Sequence, residues 1–169
     1  QDTLFTGGKT SNQYYDNCYI EGTTDFIFGP ATAVFKNCII KSKKNSFVTA
    51  ASTPENHEFG YVFFNCKLIS DGNAHKVFLG RPWRPFAKTV FINCELGSHI
   101  VPEGWDPWVD KRFPDKDKTA YYAEYKSKGK GANPNQRIRW SHQLSKKEVK
   151  KYTLKTIFKT WDVKDSLSN

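Results

Sequence analysis

The chain has 169 residues, a length that suits one domain, with 15% aromatic and 25% charged residues and a formal net charge of +9. That aromatic content can fill a sizeable core, which excludes intrinsic disorder for most of the chain. No apolar run approaches the length of a membrane span, and Gln1-Asp2-Thr3-Leu4 has no signal-peptide character.

The first segment, Gln1-Asp2-Thr3-Leu4-Phe5, mixes ionisable and apolar groups and contains no capping element. Four related phrases follow, each built around Asn-Cys: Tyr14 to Ile20 around Asn17-Cys18, Val34 to Ile40 around Asn37-Cys38, Val62 to Leu68 around Asn65-Cys66, and Val90 to Leu96 around Asn93-Cys94. They contain all four cysteines, at intervals of 20 to 28 residues, the range of stacked solenoid units. The phrases are rich in Val, Ile, Phe and Tyr, lack helical periodicity and are separated by Gly, Asn, Ser and Pro, so each unit is expected to be a coil of short strands.

The expected architecture is all-β, a right-handed parallel β-helix with a loop-rich, partly helical C-terminal tail. Equivalent positions of successive coils then stack, Cys on Cys and Asn on Asn, with Asn in the left-handed backbone of a corner bonding neighbouring backbone. The residue before each Asn, namely Asp16, Lys36, Phe64 and Ile92, is expected to point outward at a bend. An uncapped β-helix exposes unpaired ladder groups, and terminal repeats normally differ from internal ones. The chain is therefore expected to begin inside the solenoid, truncated at its N-terminal side, the preceding coils being absent, supplied by a second chain, or removed with the signal segment of a longer precursor.

No close Cys pair of the C-x-x-C type exists, so no metal site is expected. Disulfides between adjacent coils are sterically possible, but a stack of free buried thiols explains the spacing with less strain.

Between the phrases lie Gly22-Thr23-Thr24-Asp25-Phe26-Ile27-Phe28-Gly29 and Leu79-Gly80-Arg81-Pro82-Trp83. Asp25 precedes Cys38 by 13 residues, Arg81 precedes Cys94 by 13, and Asp2 precedes Cys18 by 16. Nearly equal phase places all three side chains on one face of successive coils. Two carboxylates brought together with an Arg nearby can divide into an acid and an ionised nucleophile or base. An ordinary surface Asp-Arg ion pair is the alternative.

Residues 99 to 140 read as loops, with Pro102, Pro107, Pro114 and Pro134 as breakers and Trp105, Trp108, Tyr121, Tyr122, Tyr125 and Trp140 as packing groups. Ser145-Lys146-Lys147-Glu148 matches a capping box. Val149, Tyr152, Leu154, Ile157 and Phe158 then predict a helix or two covering the C-terminal end of the solenoid. Much of the basic excess lies in this tail, at Lys126-Ser127-Lys128-Gly129-Lys130 and Lys146 to Lys151. A basic protein favours polyanions, whether nucleic acid or acidic polysaccharide, although a solvated basic surface with no specific partner fits as well. The expected division is 1 to 110, coils carrying the chemistry, and 111 to 169, a tail packed on them.

At three places the chain resembles the pectin methylesterases, or pectinesterases: Gln1-Asp2-Thr3-Leu4, Gly22 to Gly29, and Leu79-Gly80-Arg81-Pro82-Trp83 look like signature motifs of that family in the expected order. Val34-Phe35-Lys36-Asn37-Cys38 and Pro102-Glu103-Gly104-Trp105 also resemble its pattern. The resemblance implies a right-handed parallel β-helix, a carboxylic-ester hydrolase that removes methyl esters from homogalacturonan, and no metal or organic cofactor. It further implies Asp25 as nucleophile, Asp2 as acid and then base, Arg81 as the group that keeps Asp25 ionised and oriented, and Gln1 as oxyanion donor. Trp83 and Trp105 would be stacking surfaces for uronate rings, with plain core or loop packing as the alternative for each and Phe28 and Phe5 as further contacts, and Phe26 and Phe28 would help exclude water. The expected partner is methyl-esterified homogalacturonan, with no nucleic acid and no membrane, and the expected location is secreted or periplasmic.

Two departures accompany the resemblance. Phe5 stands where the family usually has Tyr, and no segment of the type Gly-x-Tyr-Gln-x-Ala, which supplies another oxyanion donor, occurs in the chain. Loss of one such donor typically costs about a hundred- to a thousandfold in rate, so the isolated chain is expected to be weak or inactive. A non-catalytic acidic-polysaccharide binding module, an inactive fragment of such an enzyme and a polygalacturonase-like glycosidase with paired carboxylates stand as alternatives.

Overall fold

A computed structural model of the chain describes residues 1–163. Its strands, in chain order, are β1 (Leu4–Phe5), β2 (Asn12–Asp16), β3 (Tyr19–Gly22), β4 (Ile27–Gly29), β5 (Thr32–Lys36), β6 (Ile39–Ser42), β7 (Phe47–Ala51), β8 (Tyr61–Phe64), β9 (Lys67–Ser70), β10 (Phe78–Gly80), β11 (Lys88–Ile92), β12 (Glu95–Leu96), β13 (Tyr121–Tyr125) and β14 (His142–Gln143). Up to β12 each strand pairs in parallel with the strand three before it, and β13 and β14 extend the second sheet beyond β11. The result is three sheets, ordered β1-β4-β7-β10, β14-β13-β11-β8-β5-β2 and β12-β9-β6-β3. This is the expected right-handed parallel β-helix.

The Asn-Cys repeat sets the corner between the second and third sheets. Asn17, Asn37, Asn65 and Asn93 have φ of 55°, 55°, 53° and 54°, a left-handed conformation that Asn tolerates better than most residues. The Asn17 and Asn37 side chains donate to Asp16 Oδ1, at 3.0 and 3.3 Å, rather than to backbone. All four cysteines are free thiols, half-buried at Cys18 and buried at Cys38, Cys66 and Cys94. The Cys38 thiol, hydrogen-bonded to Cys66 and buried, is held far above the usual thiol range, so it acts as a packing group.

The aromatic position three residues before each Cys forms the core ladder. Tyr15, Phe35, Phe63 and Phe91 stack with centroids 4.8, 4.5 and 4.3 Å apart, and such pairs add about 0.5–1.5 kcal/mol each beyond area burial. Their neighbours Val34, Val62 and Val90 face the other way, yet they too are buried. The tail covers them: Leu144, Tyr152, Ile157 and Phe158 pack on that outer face. A sheet covered on both faces has no polar alternation, which is why the sequence reads Val-Phe without a break.

Three expectations need correction. First, the tail helices lie along the outer flank of the second sheet. The C-terminal end of the core is closed instead by Trp105, Tyr122 and Trp140, with centroids 4.6 and 5.4 Å apart in that order. The tail consists of a short 3-10 turn at Glu148–Lys151 and α2 (Leu154–Phe158). The capping box does form, Ser145 N–H donating to Glu148 Oε2 at 2.8 Å and Glu148 N–H to Ser145 Oγ at 3.2 Å. Second, the flank covering buries Ile92 to 3% exposure, so the residue before Asn points outward but not always to solvent.

Third, the solenoid does not stop at residue 110. β13 continues the second sheet, pairing Lys88–Ile92 with Tyr121–Tyr125, and Lys126 and Ser127 take the places of Asn and Cys. Lys126 has φ of 49°, and Lys128 N–H reaches Cys94 O at 2.9 Å. A fifth coil is therefore present without the Asn-Cys signal. The remainder of the expected tail, 164 to 169, lies outside the described residues.

Candidate active site

The first sheet carries the candidate chemistry on its outer face. Leu4 pairs with Ile27, which makes Asp2 and Asp25 rung partners two residues earlier. Asp2 N–H donates to Thr24 O at 3.1 Å and Asp25 N–H to Phe47 O at 2.9 Å. Both aspartates are left-handed, with φ of 54° and 50°. Strained backbone of this kind is held where surrounding ladder bonds over-determine it, and it turns both carboxylates out of the strand direction.

Arg81 is not on the same rung. Phe47 pairs with Phe78, and Ala50 with Phe28, so Asp25 aligns with Phe47 and Phe78, whereas Arg81 stands three residues further along, level with Ala50 and Phe28. The longer connection between β10 and β11, 81–87 against 30–31 between β4 and β5, breaks the simple count back from Cys94. The long side chain makes up the offset: Arg81 Nε donates to Asp25 Oδ1 at 3.0 Å and Nη2 to Oδ2 at 2.6 Å. This fork is the strong, geometrically specific form of a carboxylate–guanidinium pair. The side chains are 8% exposed at Asp25 and 20% at Arg81, so solvent screens the pair little.

The guanidinium is fixed from two further sides. Its carbon lies 3.8 Å from the Phe47 ring centroid and 3.7 Å from that of Trp108. Gly80 permits the close approach of coils here, because a Cβ at that position would stand 1.9 Å from Thr49 Oγ1. Phe47 and Trp108 were not singled out for the site from the sequence. The rung position of Phe47 opposite Asp25 was a usable signal, but Trp108 sits in a loop with no period.

A cleft of about 150 Å³ is lined by Gln1, Asp2, Asp25, Phe28, Ala50, Trp83 and Trp108. It brings together Gln1, Asp2, Asp25, Phe28 and Trp83, with Arg81 gripping Asp25 at its edge. An aromatic row continues from it: Phe28 lies 6.0 Å from Trp83, edge to face, and 5.0 Å from Phe5. Phe5, 57% exposed, lines the adjoining groove of about 550 Å³ with Lys9, Trp83 and Arg84.

Two expected contacts are elsewhere. Trp105 is 1% exposed and packs between Phe91 and Tyr122, at 5.8 and 4.6 Å. It is a core plug and offers no surface to a sugar; the strand-like pairing of Trp105 with Gly80 aims it inward. Phe26 is fully buried beneath the sheet, so of the two phenylalanines flanking Ile27 only Phe28 borders the cleft. The tail lysines are also remote: Lys126 and Lys128 line a separate hollow with Asn65, Asn93 and Glu95 at the Asn corner. Among the described residues no cluster of His, Cys, Asp or Glu could hold a metal ion, and no helix is long and apolar enough to cross a membrane.

Comparison with known proteins agrees with the signature motifs. The family model described as Pectinesterase matches residues 1–160. "Putative pectinesterase 11" of Arabidopsis thaliana is 40% identical over 152 residues, covering 88% of this chain and 41% of the relative. "Probable pectinesterase/pectinesterase inhibitor 64" of the same plant is 38% identical, covering 91% of this chain and 28% of the relative. Among solved structures, the pectin methylesterase from carrot superposes with a TM-score of 0.87 at 29% identity, over 100% of this chain and 56% of that one. The pectin methylesterase from Yersinia enterocolitica gives 0.82 at 32% identity, over 96% and 58%. The chain thus spans well under two thirds of the length of these relatives.

Proposed function

Because this chain belongs to the pectinesterase family, whose members are carboxylic-ester hydrolases, we propose that its cleft removes methyl esters from homogalacturonan through an acyl-enzyme on Asp25. The observation that carries this reading is the forked Arg81–Asp25 pair at the edge of a cleft that Asp2 also lines. Arg81 orients Asp25 and occupies one lone-pair direction of each oxygen, leaving another to face the cleft.

An Asp25 oxygen attacks the C6 carbonyl carbon, and the charge passes to the carbonyl oxygen, to which the Gln1 amide donates. Collapse of this oxyanion breaks the bond to the methoxy oxygen, which leaves as methanol with the proton of Asp2. Asp2, now a carboxylate, takes a proton from water, whose oxygen attacks the acyl carbon and frees Asp25 and the uronate. A carboxylate is a weak nucleophile, so orientation by Arg81 and the apolar walls at Phe28, Trp83 and Trp108 are what make it usable. Phe28, Trp83 and exposed Phe5 offer faces to successive rings of the polymer. Such a substrate lies outside cells, which makes a secreted or periplasmic protein the expected setting.

The test is methanol release from highly methylated pectin by the protein that carries this chain, with Asp25→Asn as control. Release abolished by Asp25→Asn with the fold intact supports the reading. Pectate binding without methanol would point to the binding module, and new reducing ends without methanol to a glycosidase.

A further inference from the structure

Residues 106–119 lie outside the repeat, yet they place a second cation behind the cleft wall. Lys116, in α1 (Lys116–Thr119), is 1% exposed, and its Nζ has no hydrogen-bond partner among the described residues. A buried ammonium without such a partner is costly. Its neighbours are the Trp108 ring, 4.6 Å from Nζ to the centroid, and Asp110 Oδ2 at 3.9 Å, beyond hydrogen-bond reach. Asp110 is already held by Arg112 through Nε at 3.1 Å and Nη2 at 2.8 Å. Satisfying Asp110 is therefore not what Lys116 is needed for.

The same indole carries the Arg81 guanidinium at 3.7 Å. Trp108 itself has φ of 46°, with its N–H on Asp106 Oδ1 at 2.7 Å. A bulky residue holds that backbone only when its surroundings fix it. Two cations thus rest on one ring, and one of them grips Asp25.

We propose that Lys116 is a positioning residue: its ammonium, seated on the Trp108 indole, holds that ring against Arg81 and thereby fixes Arg81 on Asp25. The proposal rests on the esterase reading for its effect on rate, but the coupling of Lys116 to Trp108 is observable without it. Burial pushes the Lys116 ammonium down to about 8, with Asp110 pulling it up and Arg112, Arg81 and Arg84 pushing it further down. Lys116 is then charged at pH 6.5 and neutral at pH 9.5, and its attraction to the ring fades between them.

Lys116→Met, neutral at every pH, and Lys116→Arg, charged at every pH, bracket the natural residue. Tryptophan emission followed from pH 6 to 10 is expected to show a step near pH 8 that Trp108→Phe and both Lys116 variants lack. For methanol release at pH 6.5, Lys116→Met is expected to lower kcat roughly 3- to 30-fold and to flatten the bend near pH 8. Lys116→Arg restores most of the rate and keeps it to pH 9.5. Thermal unfolding moves the opposite way, because Lys116→Met removes a buried charge and leaves Asp110 paired, so this variant melts higher at pH 6.5. A lysine with a purely structural role would lose stability and rate together with an unchanged pH profile. That result, or an emission step that persists in Lys116→Met, overturns the proposal. An intact emission step without methanol release from the natural protein supports the Lys116–Trp108 coupling and removes the esterase reading.

Discussion

Arg81 grips both oxygens of Asp25, at 3.0 and 2.6 Å, although it stands two coils away and three residues further along the register of the first sheet. A side chain shorter than Arg, or one without a fork, could not bridge that offset in two hydrogen bonds.

Arg81→Lys is therefore expected to lower kcat by about a hundredfold, since a point charge still pairs with Asp25 but does not orient it. Arg81→Ala is expected to cost about 3 kcal/mol of stability as well, because it leaves the mostly buried Asp25 carboxylate unpaired. Rate measurement with thermal unfolding on the same samples separates the two effects. A full-rate Arg81→Lys protein would remove orientation from the account.

Much of this arrangement could be read from the chain, and the failures have physical causes. The Asn-Cys period fixed the coils and the left-handed corners, because a ladder repeats its chemistry at constant spacing; Asp2 and Asp25 share a rung although their counts to the next Cys differ by three. Arg81 appeared in phase with Asp25 only because the longer connection at 81–87 lengthens the count back from Cys94; the arm length of Arg concealed the difference. Lys126-Ser127 hid the fifth coil by changing both marker residues. Trp105 and Trp108 are three residues apart in one loop, and whether each is plug or wall depends on the coil beneath, which local sequence does not encode.

The fifth coil offers a stability test. Lys126 holds the left-handed φ of 49°, and Ser127 Oγ is buried without a hydrogen-bond partner among the described residues. Restoring the repeat with Lys126→Asn and Ser127→Cys is expected to stabilise by about 0.5–2 kcal/mol in total. Chemical denaturation measures it; a loss of stability would show that the Lys126-Ser127 rung is not equivalent to the Asn-Cys rungs.

Glu124 and Arg137 form a pair 2% and 3% exposed, joined at 2.6 Å between Oε1 and Nε. Arg137 also donates to the carbonyls of Val101, Pro102 and Gly131, tying the last loops to β13. Glu124→Gln leaves a buried guanidinium uncompensated and is expected to cost about 3–5 kcal/mol. Calorimetry should record a lower melting temperature, while a change below about 1 kcal/mol would mean that the carbonyls alone satisfy Arg137.

His99 supplies a pH dependence. It is 4% exposed, its Nε2 has no partner among the described residues, and burial pushes its pKa below the ordinary 6.5. The unfolded chain takes up the proton first as pH falls, so stability contributed by neutral His99 is complete above pH 6.5 and declines below it, until the folded value is passed. Melting curves at pH 7.5 and 5.0 are expected to differ more for the natural protein than for His99→Gln. Equal differences would show that other groups govern the acid limb.

The cleft has no single parent coil. Asp2 and Asp25 come from neighbouring turns of the winding, Phe47 from the next and Arg81 from the one after. A solenoid peeled from its C-terminal side by force would part in an order: the tail strip, then the turn of β13, then the turn of β11, which follows Arg81. Only a rupture reaching β10 would pull the guanidinium away, and the two aspartates would still lie on intact neighbouring rungs. Extension traces of such a molecule should therefore contain several early releases that spare the acid pair and one later release that disarms it.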